Sequence, residues 1–185
     1  DHSVPPSNIY HGGTANGRKR LQKFVDDILP GYDETRNKPE KDGSSRLSSY
    51  LHFGFLLPLE IALAVKDSNA PQASKDAYLE ELIVRRELSY NMTRHNANYD
   101  SLKALPAWVQ KTMREHADDE RQYLYSLEEL EAAETHDELW NAAQREMVAT
   151  GEMHNYVRML WGKNVIAWSR SYEEAFETLV HLNNK

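Results

Sequence analysis

At 185 residues the chain is long enough to bury a real core and short for two, so one domain is expected. It contains no Cys, which excludes disulfide frameworks, thiolate zinc sites and cysteine nucleophiles, and none of its eight His stand four apart as a helical zinc pair would. A formal net charge of -7 argues against a generic nucleic-acid binder, so any DNA contact has to come from a local basic patch. The longest apolar run, Ile61 to Val65, falls far short of the roughly twenty residues that span a bilayer. The chain opens polar and without Met, and reads as a piece of a longer protein.

Apolar positions recur at helical spacing nearly throughout, and no stretch alternates long enough to make a strand, so the fold is expected to be all-α. Thr14 is placed to cap a first helix with Leu21, Phe24, Val25 and Ile28 on one face, stopped by Pro30-Gly31. A polar loop from Asp33 to Gly43 precedes a short helix that opens at Ser44-Ser45 and runs to Phe53-Gly54. Another follows Pro58 and ends near Asp67-Ser68. Residues 72 to about 94 predict one long helix carrying Leu79, Leu82, Ile83 and Leu88. Pro106 fits the first turn of a helix with Trp108, Val109 and Met113, and another is expected around 127–133. Thr135 with Glu138, and Ser171 with Glu174, have the spacing of capping boxes. Between them Gly151 separates a helix holding Trp140 from one running from Met153 to Trp168.

Three segments could carry chemistry. Ser44, Ser45, Arg46, Leu47 and Ser48 put hydroxyls and a guanidinium at a predicted helix start, where free N–H groups and the dipole suit a phosphate. On composition alone, ordinary capping by serine is the favoured account. Glu81 and Arg85 share a helix face four residues apart, a spacing for which a solvated ion pair on an exposed face is the favoured account. Asn155, Arg158, Trp161, Val165 and Trp168 form one stripe of an amide, a cation and two indoles. Trp stripes are usually core, but a core stripe seldom includes an Arg without a buried partner or ligand.

Taken in order, Tyr32, Arg36-Asn37-x-Pro39, Ser45-Arg46-Leu47-Ser48-x-Tyr50-Leu51-His52-Phe53-Gly54, Glu81-Leu82-Ile83-Val84-Arg85-Arg86-Glu87-Leu88, Leu139-Trp140-Asn141-Ala142-Ala143-Gln144 and Met153-His154-x-x-x-Arg158-Met159 form a specific series. The series resembles the flavin domain of class II cyclobutane pyrimidine dimer (CPD) photolyases over almost the whole chain. The resemblance implies a multi-helix FAD-binding domain of photolyase type spanning residues 1–185, without the N-terminal antenna domain and truncated at its C-terminal end. It implies reduced FAD as the cofactor, DNA containing pyrimidine dimers as the substrate, and repair by one-electron transfer from the light-excited flavin, with no net redox change. No metal and no membrane are implied, and a monomer working in the cytoplasm is expected.

Carried over by residue, the resemblance gives Tyr32, Ser44, Ser45, Arg46, Leu47 and Ser48 to the flavin's phosphates and ribityl chain, and Asn155 and Arg158 to the border of its ring. Glu81 matches the carboxyl group that hydrogen-bonds the lesion, with a pKa that burial beside a base would raise. Met159 matches a residue lining the lesion pocket, and Arg36, Arg85 and Arg86 are candidates for DNA phosphates or nearby acid groups. Trp140, Trp161 and Trp168 match the indoles that relay electrons to resting flavin, with roughly 10 Å of helix axis between the last two. The serine-rich start and the Asn155–Arg158–Trp161 ridge are expected to serve one bent flavin. Because part of the family's length is missing, weak flavin binding or none, and no repair activity, is expected of the chain alone. A cryptochrome-like photoreceptor and a cofactor-free helical interaction module are the alternative functions.

Overall fold

The computed structural model describes residues 4–185, which form helices and loops with no strand among them. They fall into two compact units, Tyr10–His95 and Asn96–Lys185, the second joined by the described N-terminal residues up to Ile9.

In the first unit α1 (Thr14–Lys23) passes into a π-helical turn at Phe24–Ile28 and a 3-10 turn at Leu29–Gly31. Pro30 has no N–H to extend the ladder, so the chain turns there into the short α2 (Tyr32–Thr35). α3 spans Ser48–His52, α4 Pro58–Asp67, and α5 Gln72–Leu79 continues through a π turn at Glu80–Arg85 into α6 (Arg86–His95). The long helix expected over 72–94 is therefore present, widened in its middle. Phe24, Leu29, Ile61 and Val65 are fully buried and, with Tyr32, Tyr50 and Tyr78, make the core. Gly17 lets α1 approach it: a Cβ there would lie 3.1 Å from both Leu56 Cγ and Tyr50 Cδ1.

In the second unit α7 is Ala107–Glu115, α8 Leu127–Glu131, α9 Glu138–Thr150, α10 Asn155–Ala167 and α11 Tyr172–Asn184. Its core is built on Leu130, Trp140, Ala143, Trp161, Val165, Trp168 and Leu182. Gly151, at φ 79°, ends α9 in the left-handed conformation that glycine takes without strain.

Several predicted starts move. Gly13, not Thr14, is the N-cap of α1, and no side chain caps it. Asp137, not Thr135, caps α9 by accepting from the Leu139 and Trp140 N–H groups. Thr135 is instead held by Asn141, whose Oδ1 accepts from its hydroxyl at 2.8 Å and from its N–H at 3.0 Å. Ser171 does cap α11, but Glu174 reaches back to the Arg170 N–H. A full capping box stands at Ser126 and Glu129, where none was expected.

Glu131 accepts hydrogen bonds from Lys185 at 2.9 Å and pairs with His181 at 2.5 Å, and these two contacts, Lys185 first, hold its pKa below the ordinary 4.5. The depressed folded-state value means that this stabilisation is present above the unfolded pKa and is lost as pH falls through the folded one. The trio sits near the surface, so a pH series of thermal unfolding should show Glu131→Gln losing under about 1 kcal/mol near neutrality, and nothing once the carboxylate is protonated.

Candidate functional site

The serine segment does not open a helix. α3 begins at Ser48 with Leu47 in the cap position, which leaves Ser44, Ser45 and Arg46 in a loop before it. The loop is set by distant and strained contacts. Arg20 on α1 donates to the Ser45 carbonyl at 2.8 Å and to the Ser44 carbonyl at 3.2 Å. Arg46 has φ 54° and pairs with Asp42 at 2.7 Å. Leu47 is buried and Ser48 exposed. Burial, and then the nearby charge of Arg46, lower the Arg20 pKa, with Asp42 acting the other way, so two guanidiniums stand close together beside the serines. The Ser49 hydroxyl alongside is buried and has no hydrogen-bond partner among the described residues. Cationic side chains, serine donors and an orphaned hydroxyl fit the phosphates of a dinucleotide.

Gly43 is buried against Thr35, and a Cβ on it would come within 2.7 Å of the Thr35 backbone carbon. Gly43→Ala should therefore push the serine loop and cost about 1–3 kcal/mol in chemical denaturation, as overpacking does. An unchanged midpoint would show that the loop yields freely.

Tyr32 is buried between Phe24 and Tyr78, with ring centroids at 5.9 and 5.2 Å. Burial raises its pKa, and burial also pushes the Tyr78 phenol up to about 12. Tyr32 leads to the acid of the site. The Arg36 guanidinium lies 5.7 Å from the Tyr32 ring centre and donates from Nη2 to Glu81 Oε1 at 2.7 Å. Desolvation alone would lower the Arg36 pKa, but the hydrogen bond and charge of Glu81, with Tyr32, raise it on balance. Glu81 stands in the π turn, where one extra residue per turn re-aims side chains. Its side chain is 39% exposed, so Arg36 rather than deep burial dominates its surroundings. Arg85 and Arg86 face outward: Arg85 lies 3.4 Å from Glu80, and Arg86 donates to the Tyr90 hydroxyl at 2.8 Å while covering its ring.

In the second unit, His154 caps α10 and puts Asn155, exposed, at its first position. One turn on, Arg158 is half-buried, and burial lowers its pKa. Its Nη1 donates to Asn183 Oδ1 at 2.9 Å, a partner that local spacing could not reveal. Arg158 and Asn183 line a cavity of about 380 Å³ with Gln144, Met147 and Leu182. The cation and the two amides supply the donors and acceptors that a polar heteroaromatic edge needs, within the size range of small-molecule sites. Met159 is not among the residues lining this cavity and is 49% exposed.

Two of the indoles are joined by the third, which comes from another helix. Trp140 on α9 stacks on Trp161 at 6.0 Å with 5° between the planes, and meets Trp168 edge-on at 5.6 Å. All three are at most 7% exposed. Trp140 Nε1 donates to the Trp161 carbonyl at 3.1 Å, and Trp161 Nε1 donates to Gln144 Oε1 at 3.0 Å. Trp140 thus bridges one ring from the middle of α10 and one from its C-cap. Among the described residues, no group of three His, Cys, Asp or Glu is placed to hold a metal ion, and no helix is long and apolar enough to cross a membrane.

The helical arrangement is that of the photolyases: the structure of a bacterial class III photolyase from Agrobacterium tumefaciens superposes with a TM-score of 0.69 over 95% of this chain and 39% of its own, at 21% identity. No protein-family profile matches the chain. Its sequence relatives are deoxyribodipyrimidine photo-lyases. That of Methanothermobacter thermautotrophicus is 42% identical over 96% of the chain and 39% of its own length. Those of Potorous tridactylus and Arabidopsis thaliana are 44% and 46% identical over 100% and 88% of the chain, and 35% and 33% of their own lengths. The chain is therefore similar over nearly its whole length to one region of the deoxyribodipyrimidine photo-lyases, and spans between a third and two-fifths of the curated relatives it matches.

Proposed function

We propose that the chain is the helical flavin-binding domain of a class II CPD photolyase, and that the whole protein, acting as a monomer, uses light to repair pyrimidine dimers in DNA. The observation that carries this reading is the trio of buried indoles linked through Trp140, which runs from one turn beyond Arg158 on α10 to the C-cap of that helix. Reduced FAD, when bound, would supply the electron that opens the cyclobutane ring. Tyr32, Ser44, Ser45, Arg46, Leu47 and Ser48 would hold its phosphates and ribityl chain, and Asn155 and Arg158 the edge of its ring. Asn183, which orients the Arg158 guanidinium, joins them. Trp161, one turn beyond Arg158, is the inner end of the relay, with Trp140 and Trp168 outside it.

Glu81 would hydrogen-bond a pyrimidine of the flipped lesion, with Arg36 fixing its carboxylate. Met159 would offer an apolar contact to the lesion. Arg85 and Arg86, on the exposed side of their helix, would meet DNA phosphates, an attraction that salt weakens. The Arg36–Glu81 pair favours repair over pure signalling, since a photoreceptor has no use for an oriented carboxylate facing a base.

The test uses the full-length protein. Its visible spectrum should show a flavin, and blue light should restore intact thymines to ultraviolet-irradiated DNA. A colourless protein that takes up no flavin on reconstitution would support the interaction module instead. A flavoprotein with no repair activity would point to the photoreceptor.

A further inference from the structure

Beyond Trp168 the ring contacts continue. Tyr125 meets the Trp168 indole edge-on at 5.4 Å, and its backbone N–H donates to the Trp168 carbonyl at 3.3 Å. His136 also touches Trp168, with centroids 5.2 Å apart, and Tyr123 lies flat on the other side of the imidazole at 3.7 Å. Tyr125 and His136 are 15° from parallel and joined edge to edge: the phenol oxygen stands 2.6 Å from His136 Nδ1. The same oxygen accepts the backbone N–H of His136 at 3.0 Å. That oxygen keeps its own proton to donate, and in the tautomer of neutral His136 protonated on Nε2 the short contact is Oη–H donating to Nδ1. Trp161, Trp140 and Trp168 are buried, Tyr125 is partly exposed and His136 is exposed.

We propose that this Tyr–His pair is the outer terminus of the indole relay, with His136 the acceptor of the proton that Tyr125 releases on oxidation. The proposal rests on the relay reading above. The oxidant at the inner end is a photoexcited, oxidised flavin. The step assigned to the pair is balanced: Tyr125 gives one electron to the Trp168 radical cation, its O–H bond breaks, and the proton moves to Nδ1. Trp168 returns to its neutral form, Tyr125 becomes a neutral radical and His136 an imidazolium. A phenol radical cation is too acidic to persist, so a base already at hydrogen-bond distance lets the electron and proton leave together. The proton's short path keeps the step fast, and the separated charge ends near solvent, far from the inner ring. Tyr123 and Trp168 clamp the imidazole in the plane that this transfer requires.

Transient absorption and spin resonance of the flavin-loaded full-length protein after a flash test it. In the unaltered protein the indole radical signal should give way to that of a neutral tyrosyl radical, more slowly in D2O. His136→Phe keeps an aromatic ring between Tyr123 and Trp168 but removes the base, and should slow tyrosyl formation by about a hundredfold, within the usual contribution of a positioned proton acceptor. Tyr125→Phe should abolish the tyrosyl signal and leave the radical on Trp168. Flash oxidation of flavin-free protein by a ruthenium polypyridyl should give the same order of variants. Indole radicals that form normally with no tyrosyl radical, or a tyrosyl radical as fast in His136→Phe as before, would overturn this proposal alone. Absence of indole radicals altogether, together with unchanged photoreduction in Trp140→Phe, would instead overturn the relay.

Discussion

Replacing Trp140 by Phe is expected to slow photoreduction of the oxidised flavin by about tenfold or more, a barrier increase above roughly 1.4 kcal/mol, while repair by chemically pre-reduced protein persists. The reason is geometric. Trp140 is the ring that touches both Trp161, at 6.0 Å, and Trp168, at 5.6 Å. A phenyl ring is harder to oxidise than an indole, so the middle station is lost although most of the packing stays. Stability should fall by roughly 2 kcal/mol, less than the 3–5 of truncation to Ala, because Phe fills part of a site that is 2% exposed. Photoreduction yield under continuous light, with an external reductant present, separates the two effects. Equal yields in the variant and the original protein would end the relay reading, and loss of repair with pre-reduced flavin would assign Trp140 a structural role only.

The second large effect concerns Glu81 and Arg36. Glu81→Gln preserves shape and removes the charge from a 2.7 Å contact with Arg36. A charge-assisted hydrogen bond contributes about 1.5–3 kcal/mol, so the affinity of the full-length protein for lesion-bearing DNA, and its repair yield, should drop roughly tenfold or more. Arg36→Ala should do as much damage by leaving the carboxylate beside the buried Tyr32 without its cation. Because the pair acts as a unit, the double variant should be little worse than either alone, a departure from additivity of about 0.5–3 kcal/mol. Binding to undamaged DNA is the control. If it falls as far as lesion binding, Arg36 and Glu81 serve the phosphate backbone and the lesion role is lost.

Helical character, the long run from Gln72 to His95 and the break at Gly151 were legible in the chain because they depend on local period and on glycine and proline. The stripe of Arg158, Trp161, Val165 and Trp168 was legible for the same reason, and its buried members do share one face. What spacing missed are the partners. Ser44 and Ser45 looked like a helix start because serine caps helices, but Arg20, a residue of another helix, takes both carbonyls and the helix waits for Ser48. Thr135 had the right spacing for a cap, yet Asn141 captured its hydroxyl and Asp137 took the role.

The amino-acid order by itself determined where helices run, which faces are apolar, and that indoles, an arginine and a serine-rich turn recur in a family-specific series. Only the tertiary structure decided that Trp140 stands between Trp161 and Trp168, that Arg36 grips Glu81, that Asn183 holds Arg158 and that Tyr125 meets His136. The physical reason is range. Backbone propensity and side-chain period act over one or two turns, whereas these contacts join residues as far as 45 positions apart, and become favourable only once burial has brought their helices together.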